Sequence, residues 1–347
     1  MEKTAVVFGA TGQVGSYLCE SLLEKGYNVV GIKRRSSTNN CWRLKNILTF
    51  PYFNLAEGDI TDAVSIYNVI GEHKPNEIYA CAAQSHVHTS FEQPQYTAMV
   101  DYIGQINILE AMRKFDIQSK LMFCATSEMF GSSMGNLYTR GTEEDPNLAF
   151  YYQNEKTELC PQSPYAISKV AAFQTNKLYR TAYNMFICSA IMFNNESPRR
   201  GEEFVTRKIT KWIGDNYSKI KLGYQPLVNA DKLNLGNLDA SRDWGSSKDY
   251  VEALQLMLQQ ESPDDYVIAT GETHTIKELL DVAFGYINIT DWTPYVYVNP
   301  KFIRPAEVPY LRGDMSKARE KLGWSPTTTF KELIEEMVES DIRKENR

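Results

Sequence analysis

From residue 4 to about residue 193, short apolar runs rich in β-branched residues alternate with longer stretches whose apolar positions recur every three to four residues. That alternation is the signature of a parallel sheet covered by helices. The runs predict strands at 4–8, 28–32, 77–81, 120–124 and 186–191, and the longer stretches predict helices at 12–25, 62–72, 93–115 and 164–183. Beyond residue 194 the pattern changes to segments rich in Pro, Gly and Arg, with helices expected at 201–216, 247–260, 275–286 and 330–343. The run 267–269 reads as a further strand for the first sheet, so the two regions are expected to interleave. The fold class is α/β, a doubly wound parallel sheet over 1–193, completed by segments near 235–275. A smaller mixed α/β region over 194–347 follows it.

Composition narrows the function classes. With 347 residues and 43% hydrophobic content, the chain can bury a large core. Its 37 basic and 43 acidic side chains are well mixed and sum to −6, which gives no electrostatic footprint for nucleic acid or an anionic membrane. No run approaches the roughly 20 apolar residues of a membrane span, so a cytoplasmic protein without membrane or nucleic-acid partners is expected. The six cysteines, Cys19, Cys41, Cys81, Cys124, Cys160 and Cys188, contain no C-x-x-C pair and read as buried, reduced thiols. His86 and His88 are the only closely spaced histidines, and no metal site is expected.

The first candidate chemistry follows the first strand. Gly9-Ala-Thr-Gly12-Gln-Val-Gly15 leads directly into a helical pattern. Glycine permits a tight strand-to-helix turn and close approach of backbone to a pyrophosphate, and the helix N-terminus supplies free N–H groups. A structural turn uses the same residues, but this placement favours a Rossmann-type dinucleotide site built on Gly9, Thr11, Gly12, Gln13, Val14 and Gly15. The second strand ends in Lys33-Arg34-Arg35-Ser36-Ser37, where a carboxylate for the ribose hydroxyls of NAD would otherwise stand. Guanidinium forks suit a 2′-phosphate, so the expected cofactor is NADP.

Tyr165-Ala-Ile-Ser-Lys169 puts a phenol and an ammonium four residues apart on one helix face. The nearby ammonium is expected to lower the phenol toward working pH, so that Tyr165 can take a proton from a substrate hydroxyl. Reactive groups in parallel sheets collect beyond the carboxyl ends of strands, which is where Thr126, Ser127 and Glu128 fall. A simple dehydrogenase needs no further carboxylate there, whereas elimination of water needs a base for a carbon acid. Glu128 is the candidate for that base.

These words, together with Ala82-Ala-Gln-Ser-His-Val87, Glu196-Ser-Pro-Arg-Arg-Gly201, Leu235-Gly-Asn-Leu-Asp-Ala240 and Arg242-Asp-Trp-Gly245, carry a resemblance that runs nearly end to end. The chain resembles the extended short-chain dehydrogenase/reductase family, and within it the GDP-mannose 4,6-dehydratase group. The resemblance implies a redox-neutral 4,6-dehydration of a GDP-linked hexose with tightly held NADP. Tyr165 would deprotonate the C4 hydroxyl as hydride leaves C4, Glu128 would remove the C5 proton and assist loss of the C6 hydroxyl, and hydride would return at C6. Thr126 would hydrogen-bond the reacting oxygen, and Lys169 would hold the nicotinamide ribose. It also implies cofactor contacts from Arg34, Arg35, Ser36, Ser37, Asp59, Ile60, Ala82, Ala83, Gln84, Ser85, Tyr96 and Arg200. Contacts to the GDP-sugar are implied for Ser85, Asn194, Lys208, Arg242, Arg304 and Glu307, so that 194–347 becomes a sugar-nucleotide-binding region. A homodimer or homotetramer is implied as well.

Two positions depart from the group's pattern: Val14 replaces a usual Asp, and Asn195 stands where a His is common beside the nicotinamide. The stretch between Glu128 and Tyr165 is longer than usual, as is the region around 224–231, and a loop joining two catalytic residues is well placed to reshape a sugar pocket. Four readings therefore stand: dehydration of GDP-mannose, the same reaction on GDP-manno-heptose, a sugar-nucleotide 4-epimerase or 4-dehydrogenase, and a non-catalytic NADP-binding scaffold. Glu128 argues against the third, and the full set of Thr126, Glu128, Tyr165 and Lys169 against the fourth.

Overall fold

The computed structural model describes residues 3–115, 118–138, 150–302, 308 and 310–345. Its first half runs β1 (Thr4–Phe8), α1 (Gln13–Glu24), β2 (Asn28–Lys33), β3 (Phe53–Glu57), α2 (Ala63–His73), β4 (Glu77–Ala80), α3 (Val87–Glu92), α4 (Pro94–Ala98), α5 (Gly104–Lys114) and β5 (Lys120–Thr126). A short hairpin of β6 (Asn136–Tyr138) and β7 (Phe150–Tyr152) follows, then α6 (Pro164–Ala182), β8 (Ile187–Met192) and β9 (Asn194–Glu196). The remainder contributes α7 (Val205–Lys221), β10 (Leu233–Leu235), β11 (Ser241–Arg242), β12 (Trp244–Ser246), α8 (Ser247–Leu258) and β13 (Asp265–Ile268). After these come β14 (His274–Thr275), α9 (Ile276–Gly285), β15 (Val296–Val298), α10 (Ser316–Leu322) and α11 (Phe330–Glu345).

Seven strands form one sheet in the order β13-β8-β5-β4-β1-β2-β3, with every pair parallel. Alternate residues of each strand enter different apolar layers. Val6 and Phe8 face one layer with Ile66, Ile108 and Phe173, and Ala5 and Val7 face the other with Leu18, Leu22 and Leu254. Burial on both faces explains why the central strands read as continuous apolar runs rather than alternating ones. A third cluster, with Ile209, Ile213, Leu280 and Ile334, holds α7, α9 and α11 together outside the sheet.

Several features differ from the pattern expected of the sequence. Strand β3 was not anticipated, because it is an edge strand whose inward contribution is mainly Phe53, packed under Gly31 where an added Cβ would lie 2.9 Å from Ala10 Cβ. The helix expected over 93–115 is interrupted by a π-helical turn, Met99–Ile103, which carries a buried Asp101. Helix α7 starts four residues later than expected, since Phe204 is extended (φ −79°, ψ 143°) and acts as its N-cap. Only Cys19 and Cys188 are buried; Cys41, Cys81, Cys124 and Cys160 are half-buried in loops and at strand ends, and all six thiols are free. Among the described residues no helix is long and apolar enough to cross a membrane.

The lengthened stretch before Tyr165 is partly visible. β6 and β7 pair antiparallel, while 139–149 lie outside the described residues. Beyond the hairpin, Glu155 accepts the Val267 N–H at 2.8 Å, and Gln153 bridges to Gly313. The Glu155 carboxylate thereby satisfies one outward N–H of the edge strand β13.

Candidate active site

The carboxyl ends of β1, β4, β5 and β8 open into a cavity of about 910 Å³, in the range of small-molecule sites. Its position follows from the topology: β1 leads to helices on one side and β4 on the other, so their connections diverge and leave a crevice. Residues from the second half of the chain, including Leu235, Trp244, Ile276 and Phe302, form the opposite wall.

Sterics dictate the glycine turn at the crevice floor. Gly9 has φ +80°, and a Cβ there would sit 2.7 Å from Ala82 N; at Gly15 it would sit 2.2 Å from Gly9 O. The Gly12 N–H donates to Gly9 O at 2.9 Å, and α1 then begins without a side-chain cap or an acidic residue in its first turn. Thr11, Gly12, Val14 and Gly15 line the cavity. A backbone cradle that excludes every side chain, ending in an uncapped helix N-terminus, fits a dinucleotide pyrophosphate. Gln13 is otherwise engaged. Its amide donates to the Asn195 carbonyl (2.9 Å) and Asn195 Oδ1 (3.0 Å), and its oxygen accepts from Ser197 Oγ (2.7 Å). Gln13 and Asn195, both expected to touch cofactor, thus tie α1 to β9 while lining the cavity wall.

At the end of β2, Arg34 Nη1 donates to the Tyr96 hydroxyl at 2.6 Å, and both residues line the cavity. Asp59, Ile60, Ala82, Ala83 and Ser85 line it too. Arg35, Ser36 and Ser37 are exposed and stand outside this wall. Gln84 also turns away, donating through its amide to Thr97 Oγ1 and the His86 carbonyl.

The reactive groups meet where β5 ends and α6 begins. Ser163 caps α6 by accepting the Ala166 N–H at 3.1 Å, and Pro164 occupies the first turn, so the start of the helix is fixed. Tyr165 and Lys169 then project one turn apart toward Thr126, and all three are buried along the cavity with Glu128 beside them. Thr126 Oγ1 accepts the Glu128 N–H at 3.2 Å and is hydrogen-bonded to the Tyr165 phenol. Lys169 Nζ donates to the Cys124 carbonyl at 2.9 Å and lies over the Phe123 ring.

The electrostatics correct one expectation. Burial pushes the Tyr165 phenol well up, and the negative charges of Asp101 and Glu128 add to it, while the Thr126 hydroxyl and the Arg200 guanidinium act the other way. Lys169, expected to pull it down, directs its ammonium at a backbone carbonyl. Asp101 was missed by sequence reasoning. Burial pushes its carboxyl up to about 6 against the pull of Lys169 and of the Gln84 N–H, which donates to Oδ1 at 2.8 Å. Its Oδ2 is buried and has no hydrogen-bond partner. The available signal was an acidic residue inside the otherwise apolar stretch 98–103.

The opposite wall holds Asn194, Arg200, Lys208 and Arg242. Lys208 Nζ sits 3.8 Å from the centre of the Phe302 ring, and burial lowers its ammonium below the usual lysine range. Arg200 lies over Phe204 and pairs with Glu196 at 3.2 Å. Arg304 and Glu307 lie outside the described residues. Phe302, Trp244 and Ile276 escaped sequence reasoning because apolar residues carry no signal separating a ligand wall from a core. None of the described residues in 129–160 or 224–231 lines the cavity, so the lengthened segments do not shape its described walls.

The chain is similar to known proteins in sequence and in fold. A sequence model of the family described as GDP-mannose 4,6 dehydratase matches residues 6–337. GDP-mannose 4,6 dehydratase 1 of Arabidopsis thaliana is 48% identical over 99% of this chain and 91% of its own length. Among solved structures, dTDP-glucose 4,6-dehydratase from Bacillus anthracis in complex with NAD superposes with a TM-score of 0.80 at 21% identity, covering 99% of this chain and 98% of that one. RMD from Pseudomonas aeruginosa complexed with NADPH does so with a TM-score of 0.74 at 20% identity, covering 99% of each chain.

Proposed function

Because this chain belongs to the GDP-mannose 4,6-dehydratase family, we propose that it dehydrates GDP-mannose to GDP-4-keto-6-deoxymannose. The observation that carries the proposal is the convergence of Thr126, Glu128, Tyr165 and Lys169 on the cavity that also holds the glycine cradle. A nicotinamide cofactor fits that cradle, and Arg34 beside Tyr96 favours NADP, since a guanidinium can pair with a 2′-phosphate. Solved structures of the same fold are described with NAD and with NADPH, and the basic residue is what supports NADP here.

When bound, the nicotinamide supplies a hydride acceptor for sugar C4 and later a donor for C6. The protein's own groups handle the protons. Tyr165 takes the C4 hydroxyl proton, with Thr126 hydrogen-bonded to the phenol and the Arg200 guanidinium acting with it to favour phenolate. Oxidation at C4 acidifies the C5 proton, which Glu128 removes. The same carboxyl then protonates the departing C6 hydroxyl, so that one water leaves and no reductant is consumed. On the opposite wall, Lys208 and Arg242 offer positive charge to the GDP diphosphate beside Asn194, Arg200 offers it to the cofactor, and Ser85 lines the dinucleotide side of the same cavity. Arg304 and Glu307 are proposed for the GDP moiety by family resemblance alone.

Resemblance also supports a homodimer or homotetramer in the cytoplasm, which sedimentation and fractionation test. Incubation with GDP-mannose or GDP-manno-heptose, followed by mass spectrometry, tests the substrate. Loss of one water from GDP-mannose supports the proposal, and selective loss from the heptose transfers the mechanism to the larger sugar. Loss of two hydrogens with NADPH formed would make the protein a dehydrogenase.

A further inference from the structure

Two thiols lie side by side beneath the reactive groups. β4 and β5 are parallel neighbours whose register pairs Ala80 with Phe123, so the next residues along, Cys81 and Cys124, stand opposite each other. Cys81 is held in line with the strands, its N–H donating to Phe8 O at 3.1 Å. Both side chains project to the same sheet face and pack against the layer that contains Leu18 and Leu22. Both also line the cavity. Neighbouring strands lie about 4.8 Å apart, inside the Cα separation a disulfide accepts.

The chemistry of the pair is asymmetric. The Cys81 thiol donates a hydrogen bond to the Cys124 sulfur, which lowers Cys124 against the opposing effect of burial, and the Lys169 ammonium acts in the same direction. Cys81, holding its proton in that bond, is pushed up. Elsewhere burial dominates, lifting Cys188 to about 11 and Cys19 further. A nucleophilic thiol with a second thiol in reach is the arrangement of a redox-sensitive site.

We propose that Cys81 and Cys124 form a peroxide-sensitive modification site in the cavity floor, whose oxidation to a disulfide reversibly stops catalysis. The Cys124 thiolate attacks one peroxide oxygen, the O–O bond breaks, and the second oxygen leaves as water after protonation, giving a Cys124 sulfenic acid. The Cys81 sulfur then attacks Cys124 sulfur, displacing a second water and closing the disulfide. Two thiols are oxidised by two electrons and one peroxide is reduced to two waters. The consequence for the site follows from connectivity. The Cys124 carbonyl holds Lys169, and Thr126, two residues on, holds Tyr165. Drawing the sulfurs together to about 2 Å replaces their hydrogen bond with a covalent link of fixed geometry, and the strain falls on the residue whose carbonyl holds Lys169.

The test treats the purified protein with hydrogen peroxide, alkylates the remaining thiols and maps the peptides. We expect a linked Cys81–Cys124 peptide that forms at least about tenfold faster than Cys19 or Cys188 is modified. Activity should fall in step with the linkage and return with dithiothreitol. Cys81→Ser should lose the linked peptide and lose recovery, with Cys124 carried to irreversible oxidation. If that variant does not fold, as near-ultraviolet circular dichroism would show, the wild-type map decides alone. Cys81 and Cys124 recovered as free alkylated thiols after activity is lost would overturn the proposal, as would a linked pair that leaves activity untouched.

Discussion

Replacing Asp101 by Asn removes a buried negative charge that faces both Tyr165 and Lys169, and the structure fixes the size and sign of the effect. Burial raises the Asp101 carboxyl from 3.8 to about 6, a rise of about two units and therefore ~3 kcal/mol of linked stability. Between about pH 4 and pH 6 the folded protein holds this proton more tightly than the unfolded chain does. Wild-type stability therefore falls as pH rises through that window, and the full penalty is present above it. Asn carries no proton to lose. Urea unfolding of both proteins at pH 4 and pH 7.5 should show the variant gaining ~3 kcal/mol relative to wild type at the higher pH. Asp243, also buried and raised to about 6, is present in both proteins and cancels from the difference. The same variant should shift the acid limb of the rate profile to lower pH, because the Asp101 charge is one of the groups raising the Tyr165 phenol. A stability difference that does not change between the two pH values would refute the placement of this carboxyl.

Glu128→Gln should bind cofactor as tightly as wild type and turn over roughly 10^2- to 10^4-fold more slowly, the usual worth of a general base; steady-state kinetics with a cofactor titration checks both. Arg34→Glu should weaken NADP far more than NAD, since the new carboxylate repels the 2′-phosphate, and equal weakening in binding titrations would sink the NADP assignment. Asp243 accepts from Thr270 N and Oγ1 through one oxygen and from Gly271 N and Gly313 N through the other. Asp243→Asn turns one of those acceptors into a donor facing donors, and should cost about 2–4 kcal/mol in urea unfolding at pH 7.5.

What the sequence discloses depends on how local the cause is. The turn after β1 is legible because Gly9 and Gly15 answer to backbone contacts within a few residues, and α6 because its cap, proline and apolar spacing lie inside the helix. Tyr165 and Lys169 are legible as a pair for the same reason. The role of Lys169 is not, because its partner is a carbonyl 45 residues earlier. Gln13 and Asn195 look like ligands by position, yet they hydrogen-bond each other across 182 residues. Asp101 is hidden by the π-helical turn, which shifts its phase relative to a regular helix and turns a polar position inward. Strand β3 escapes because an edge strand with one well-buried side chain leaves little pattern. The Cys81 and Cys124 contact depends on strand register, which spacing along the chain does not reveal.

The central claim is that one site lends and returns a hydride within a single sugar while its own residues move the protons. Incubation with GDP-mannose deuterated at C4, followed by NMR of the product, tests this most directly. The account predicts loss of one water, no net NADPH, and deuterium carried into the C6 methyl group. Deuterium recovered in free NADPH, or still at C4 of an unreacted or epimerised sugar, would contradict it.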